Sequence, residues 1–246
     1  MALPKKFKRN KKEDKVVDNK EWFEQQPKND AFVIKNKYKF TDVHESFLNL
    51  CLYDKTKMVL IDGPAGTAKT YIAVLGALTL LKEKKVDRVV YIRSIVESAT
   101  KSIGALPGEI DEKFKPWSLP MLEKMHEIMH PSAAAKLISD EVVKCVPVNF
   151  VRGLTFHDSF VIIDEAQNLT REELTTILTR FGHNSKYVVV GDSKQKDIGR
   201  LSGFNSILEC FKGDDCVEHG IHSMVFTEKE IVRSQILRFI VKKLGC

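Results

Sequence analysis

The 246-residue sequence has few of the features that mark secreted, metal-clustered or membrane proteins. Its five cysteines (51, 145, 210, 216 and 246) include no C-x-x-C pair. That argues against a disulfide framework and a cysteine zinc site. No apolar run approaches the ~18 residues of a membrane-spanning helix. The opening "MALPKKFKRNKKEDK" has no apolar signal stretch. These absences predict a cytoplasmic protein with reduced thiols, in which the sequon Asn168-Leu169-Thr170 carries no meaning. Internal repeats are also missing.

What is present suits a soluble globular fold. Hydrophobic content of 43% and charged content of 29% are ordinary, and the length suffices for one sizeable α/β core. The net charge of +6 is uneven: residues 1–15 hold seven Lys/Arg against Glu13 and Asp14, and so supply +5 of it. Such an arm either holds nucleic-acid phosphates or merely solubilises the chain. Residues 1–20 are read as a basic disordered tail, 21–40 as an extension and 41–246 as one domain.

Five β-branched apolar runs occur at 57–62, 88–92, 159–164, 186–191 and 223–227. Helical patterns lie among them at 42–53, 69–84, 118–130, 133–144, 170–181, 203–211 and 228–244. Near-continuous apolar strands alternating with helices predict a parallel sheet covered on both faces. An additional strand is expected over 146–151, and residues 94–117, with two prolines and two glycines, read as a loop.

The stretch "IDGPAGTAKTY" (61–71) nearly matches the phosphate-loop pattern G-x-x-x-x-G-K-[ST]. Gly63, Lys69 and Thr70 fit, and Ala68 stands where glycine is usual. The strand before it and the helix after it supply the context the motif needs. Gly63, Pro64, Ala65, Gly66, Thr67 and Ala68 would form a turn whose N–H groups, with the helix start Lys69-Thr70-Tyr71, cradle phosphates. Lys69 would reach the β/γ oxygens and Thr70 would bind Mg²⁺. Alanine at 68 costs nothing if that residue has right-handed helical dihedrals. The Lys69 side chain is expected to face solvent when no ligand is bound.

In "SFVIIDEAQN" an apolar strand would carry Asp164 and Glu165 to the same sheet edge. Asp164 would hold Mg²⁺ and Glu165 would deprotonate the attacking water. The plainer alternative is a cap for the helix at 170–181. In "KYVVVGDSKQKD" the Gln195 amide could sense the γ-phosphate or the lytic water, while Asp192 and Ser193 could simply cap a turn. "HEIMH" (126–130) matches a zinc motif, but Pro131 spoils helical geometry at His130. Met121, Leu122, Met125, Ile128 and Met129 read better as an apolar stripe. Arg93 and Arg152 could touch nucleic-acid phosphates or neighbouring side chains. Phe114 and Trp117 could stack on bases or fill the core.

The segments "GPAGTAKTY", "YIRSIVESATKSIGALPGEIDEKFKPW", "VNFVRGLTFHDSFVIIDEAQN", "LTRFGHNSKYVVVGD" and "FTEKEIVRSQIL" resemble the PhoH family of ATPases. That family's core is similar to the nucleotide-binding core of superfamily-one helicases. The resemblance implies a single RecA-like P-loop NTPase domain, its five strands ordered 5-1-4-3-2 in chain numbering. It implies ATP binding and Mg²⁺-dependent hydrolysis, coupled to remodelling of RNA or single-stranded DNA. The alternative is an ATP-dependent nucleic-acid-binding or assembly switch without motor activity. Small stand-alone members are frequent in bacteriophages, where the host cytoplasm would be the compartment. Where helicase-like cores place a glutamine that reads adenine, "FTDVHESF" offers Asp42 and His44. Some relatives carry a nuclease domain, for which the residues before Gly63 are too few.

Monomeric helicase-like ATPases use two RecA-like domains. A single one implies a ring-shaped homo-oligomer, a hexamer by expectation, with an arginine donated by the neighbour. Arg233 would sense its own subunit's nucleotide. Arg180, roughly 15 Å from the site by helix rise, would act in trans, or else cap its helix C-terminus.

Overall fold

The computed structural model describes residues 32–94, 110–195, 198–232 and 235–244, without the side chains of 110–117 and 244. The predicted parallel sheet forms from β1 (Met58–Asp62), β2 (Arg88–Arg93), β3 (Val143–Pro147), β4 (Ser159–Asp164), β5 (Lys186–Gly191) and β6 (Ile221–Val225). Their order is β3-β2-β4-β5-β1-β6, and every ladder is parallel. The five anticipated strands thus keep the order 5-1-4-3-2, with β3 added outside β2. The chain is α/β, as a RecA-like P-loop domain requires.

Strand alternation sorts the core into two faces. Val59, Ile61, Val89, Tyr91, Phe160 and Ile162 are buried on one face. Leu60, Val90, Ile92, Val161, Ile163 and Val189 are buried on the other. The first face is covered by α1 (Asp42–Leu52), α2 (Lys69–Lys82), α3 (Ile110–Ile128) and α4 (Pro131–Ser139). The second is covered by α5 (Arg171–Leu178) and α6 (Phe204–Cys210). Helix α2 passes through the middle of its layer, and its residues from Tyr71 to Leu78 are all buried. That all-round burial explains the absence of a polar stripe in "KTYIAVLGALTLLK". At roughly 1.5–3 kcal/mol per buried large apolar side chain, this helix anchors the layer.

The expected helix over 133–144 ends instead at Ser139, and β3 starts four residues on. Glu141 has φ 56°, a left-handed turn that stops the helix, and the β-branched run from Val142 joins the sheet. Among the described residues β3 pairs only with β2, so Pro147, which has no N–H to give, is tolerated at this edge. Helix α3 begins at Ile110, earlier than the expected 118, so the end of the 94–117 stretch is helical. The rest of that stretch, 95–109, lies outside the described residues, as do positions 1–31 and the side chains of Phe114 and Trp117. The C-terminal pattern splits into a 3₁₀ turn at Glu228–Glu230 and α8 (Gln235–Leu244), and the short α7 (Asp214–Glu218) was not anticipated. Among the described residues no helix is long and apolar enough to cross a membrane.

The zinc geometry fails for the anticipated reason. His130 is extended (ψ 137°) and caps α4, its Nδ1 accepting the Ser132 N–H at 3.3 Å. Met121, Met125, Ile128 and Met129 are buried as the stripe predicted.

Candidate functional site

Parallel strands place their C-terminal ends together, and the turns after β1, β4 and β5 meet there. Residues 160, 162 and 164 of β4 alternate onto the face that α2 covers. Asp164 is therefore delivered to the first turn of α2, where the Thr70 hydroxyl donates to its Oδ1 at 2.9 Å. These two residues are 94 positions apart in the chain. The cleft around them, ≈ 310 Å³, lies within the size range of ligand pockets. Ala65, Gly66, Ala68, Lys69, Thr70 and Tyr71 line it, together with Asp164, Glu165 and Gln195.

The rest of the loop works from inside. Thr67 is buried, and its hydroxyl donates to the Pro64 carbonyl at 2.8 Å. A Cβ on Gly63 would lie 2.7 Å from Phe226 Cβ and 2.9 Å from its carbonyl oxygen, so only glycine fits beside β6's exit.

Ala68 is not helical. Its φ of 60° and ψ of 19° are left-handed, a conformation that costs an alanine roughly 1–2 kcal/mol. The usual glycine would avoid that cost. Ala68→Gly is therefore expected to raise stability by about 1 kcal/mol, or ~2–4 °C in melting temperature for a chain of this size. Nucleotide affinity should move less than tenfold, because the backbone geometry is already the one glycine would adopt. A melting temperature equal to or below the parent's would contradict this.

Lys69 does not face solvent. It is 9% exposed and folds back on the loop, with Nζ donating to Gly63 O at 2.5 Å and Pro64 O at 2.9 Å. Burial pushes its pKa down, against the pull of Asp192, Asp164, Glu165 and Asp62. A buried cation held by loop carbonyls, among four acids, has charged oxygens of a phosphate as its natural alternative partners.

Glu165 is also left-handed, at φ 53° and ψ 41°. Such strain costs on the order of 1–3 kcal/mol and concentrates at functional sites. Its carboxylate accepts from Gln167 Nε2 at 2.6 Å and lies 3.7 Å from Arg93 Nη2. Burial, then the neighbouring Asp164, pushes its pKa above the ordinary 4.5. The helix-cap alternative for the acids is overturned: Thr170 caps α5, in a capping box with Glu173. Arg93 takes the side-chain partner that was one of its two anticipated roles.

Several contributors were not anticipated. Gln167 joins two strand ends, since its Oε1 accepts the Asp192 N–H at 3.0 Å while its amide holds Glu165. Asp62 accepts the Ser193 N–H at 2.7 Å, tying β1's end to β5's. Asp192 Oδ1 takes the Lys194 N–H, which is the anticipated turn cap, yet Asp192 also lines the cleft. His44 is buried and its Nε2 contacts the Thr67 carbonyl at 3.2 Å, so it braces the loop instead of facing a base. Tyr38 and Tyr71 meet edge-to-face at 4.7 Å on the cleft wall. The "DEAQ" spacing was the only sequence signal for Gln167; His44 stood out only by its place in "FTDVHESF", and Tyr38 had no signal.

Arg180 is far from the cleft. Its carbonyl accepts the Phe156 N–H, ahead of β4's first residue, so about the length of that strand, ~20 Å, intervenes. Its Nε donates to the Thr176 carbonyl at 3.2 Å, the contact expected of a helix cap. Arg233 lies outside the described residues, although the preceding Val232 N–H reaches Gly66 O at 3.2 Å.

A family model described as PhoH-like protein matches residues 41–244. The chain is 36% identical over 190 residues to a PhoH-like protein of Mycobacterium tuberculosis H37Rv, covering 76% of this chain and 53% of that one. It is 35% identical over 182 residues to a PhoH-like protein of Bacillus subtilis 168, covering 73% and 56%. Against Protein PhoH2 of Mycolicibacterium smegmatis the identity is 33% over 176 residues, covering 70% and 40%. The chain thus spans about half the length of the curated relatives it matches.

Proposed function

Since this chain belongs to the PhoH-like protein family, we propose that it is a Mg²⁺-dependent ATPase whose turnover is coupled to RNA or single-stranded DNA. The observation that carries the ATPase reading is the contact of Thr70 with Asp164 beside Lys69 and Glu165. A phosphate loop and a strand-end acid pair meet in one cleft, as in-line hydrolysis requires. The hydroxyl and carboxylate are hard oxygen donors that suit Mg²⁺, which keeps most of its waters and takes one or two protein ligands. Bound there, the ion would neutralise charge on the β- and γ-phosphates.

The chain's own groups divide the remaining work. Lys69 leaves the carbonyls of Gly63 and Pro64 for the phosphate oxygens, exchanging two neutral acceptors for charged ones. Glu165, fixed by Gln167, takes the proton of the attacking water. Gln195 lines the cleft and would orient that water or contact the γ-phosphate. Because Gln167 also holds the Asp192 backbone, it ties Glu165 to the end of β5.

Coupling to a polynucleotide rests on the family and on the basic residues 1–15. ATPase rate with and without single-stranded RNA and DNA, on sample of known oligomeric state, tests it. Stimulation supports the motor; slow turnover indifferent to both strands supports an assembly switch. The cytoplasm is the expected compartment. A homo-oligomeric ring, a hexamer by analogy, would supply an arginine from the neighbouring subunit, and Arg180 is the proposed donor in trans. The test mixes Arg180→Ala with Lys69→Ala subunits. If each is inactive alone and the two exchange, about a quarter of interfaces regain both groups. No recovery in proven mixed rings leaves Arg180 the helix cap that its bond to Thr176 describes.

A further inference from the structure

Asp164 is engaged on both oxygens. Thr70 Oγ1 donates to Oδ1 at 2.9 Å, and Tyr91 Oη donates to Oδ2 at 2.6 Å. Tyr91 stands in the middle of β2 and pairs in register with Ile162 of β4. Alternation turns its ring onto the α2 face, the same face as Asp164, and it is 1% exposed. A leucine or phenylalanine would fill this core position as well. The hydroxyl is therefore the informative part.

We propose that Tyr91 is a positioning residue for the metal site: by holding Oδ2 it fixes the Asp164 carboxylate so that Oδ1 and the Thr70 hydroxyl are presented to Mg²⁺ as one pair of oxygens. The inference rests on the nucleotide-site reading above and adds a residue that no phosphate-loop or acid motif contains. The physical reason is rotational. A carboxylate at a strand end turns freely about its terminal torsion, whereas Mg²⁺ demands near-ideal octahedral geometry. A short bond from a rigid, packed ring removes that freedom before the ion arrives. Hydrogen-bond partners behind a metal ligand typically control metal affinity ~10–100-fold.

The test is Tyr91→Phe, which keeps the ring and removes one oxygen. Affinity for a fluorescent, non-hydrolysable ATP analogue is measured across a Mg²⁺ titration and again in EDTA. The Mg²⁺ concentration for half-maximal enhancement should rise ~10-fold or more, with metal-free affinity unchanged within about twofold. The metal-free arm doubles as the fold control, because a misfolded variant loses both. If Tyr91→Phe melts early, Tyr91→Leu repeats the measurement. In an Asp164→Asn background, Tyr91→Phe should add nothing further, since its effect runs through that carboxylate. A variant with the parent's Mg²⁺ dependence overturns the role of Tyr91 alone. A parent chain whose nucleotide affinity ignores Mg²⁺ overturns the metal-site reading with it.

Discussion

Lys69→Ala is expected to lower ATP affinity by at least ~30-fold, on the order of 2–3 kcal/mol for charge-assisted bonds to phosphate, and with it to abolish turnover. Binding of a fluorescent nucleotide and steady-state phosphate release measure the two losses. Undiminished hydrolysis would remove the phosphate-loop assignment. The fold should survive, though not because the side chain is solvent-facing: it is buried among carbonyls and acids. Burial outweighs the attraction of Asp192, Asp164, Glu165 and Asp62, since the net shift of the ammonium is downward. A charged Lys69 therefore costs the ligand-free fold some stability. Lys69→Met, similar in length and uncharged, is the cleaner variant. It should melt no lower than the parent without nucleotide, yet bind ATP as poorly as the alanine variant. Stability given up for function at a binding site is the general pattern, and Lys69 adds to the backbone cost at Ala68 and Glu165.

Glu165→Gln should cut turnover by ~10²–10⁴-fold while Mg²⁺–ATP still binds, because an amide cannot take the water's proton. Asp164→Asn is expected to behave differently and weaken the metal-dependent part of binding itself. Equal and small effects from both would remove the two acids from the chemistry. The parent chain is expected to carry a further signature. Burial and the Asp164 charge raise the Glu165 carboxyl above 4.5, so the acid limb of kcat is expected to be displaced upward. Below that limb the carboxyl is protonated and cannot act as base; above it, activity is full. The limb should vanish from the residual activity of Glu165→Gln. Its displacement is limited by exposure, since the side chain remains 38% accessible and water screens part of the effect. Persistence of an unchanged limb in the variant would assign the titration to another group.

Patterns confined to neighbouring residues were legible in the sequence. "KMVLID", "SFVIID" and "KYVVVG" are too apolar for strands wetted on one side, so a parallel sheet with helices on both faces followed. The loop before Lys69 and the acids after Ile163 announced themselves by local spacing, and the resemblance supplied the strand order that periodicity cannot. Only the tertiary structure decided where backbone and long-range pairs put the chemistry. Ala68 and Glu165 are left-handed although neither residue type favours it, and alanine's helix propensity pointed the wrong way at 68. Tyr91 lay within a strand run with no role of its own, and His44 was marked only by its place in "FTDVHESF". They reach Asp164 and the Thr67 carbonyl across 73 and 23 residues of chain. A hydrogen bond is set by a few tenths of an ångström between atoms that sequence separation does not constrain. Local propensity could therefore identify the sheet, the loop and the acid pair, while the partners that orient them emerged only when packing brought the strands into register.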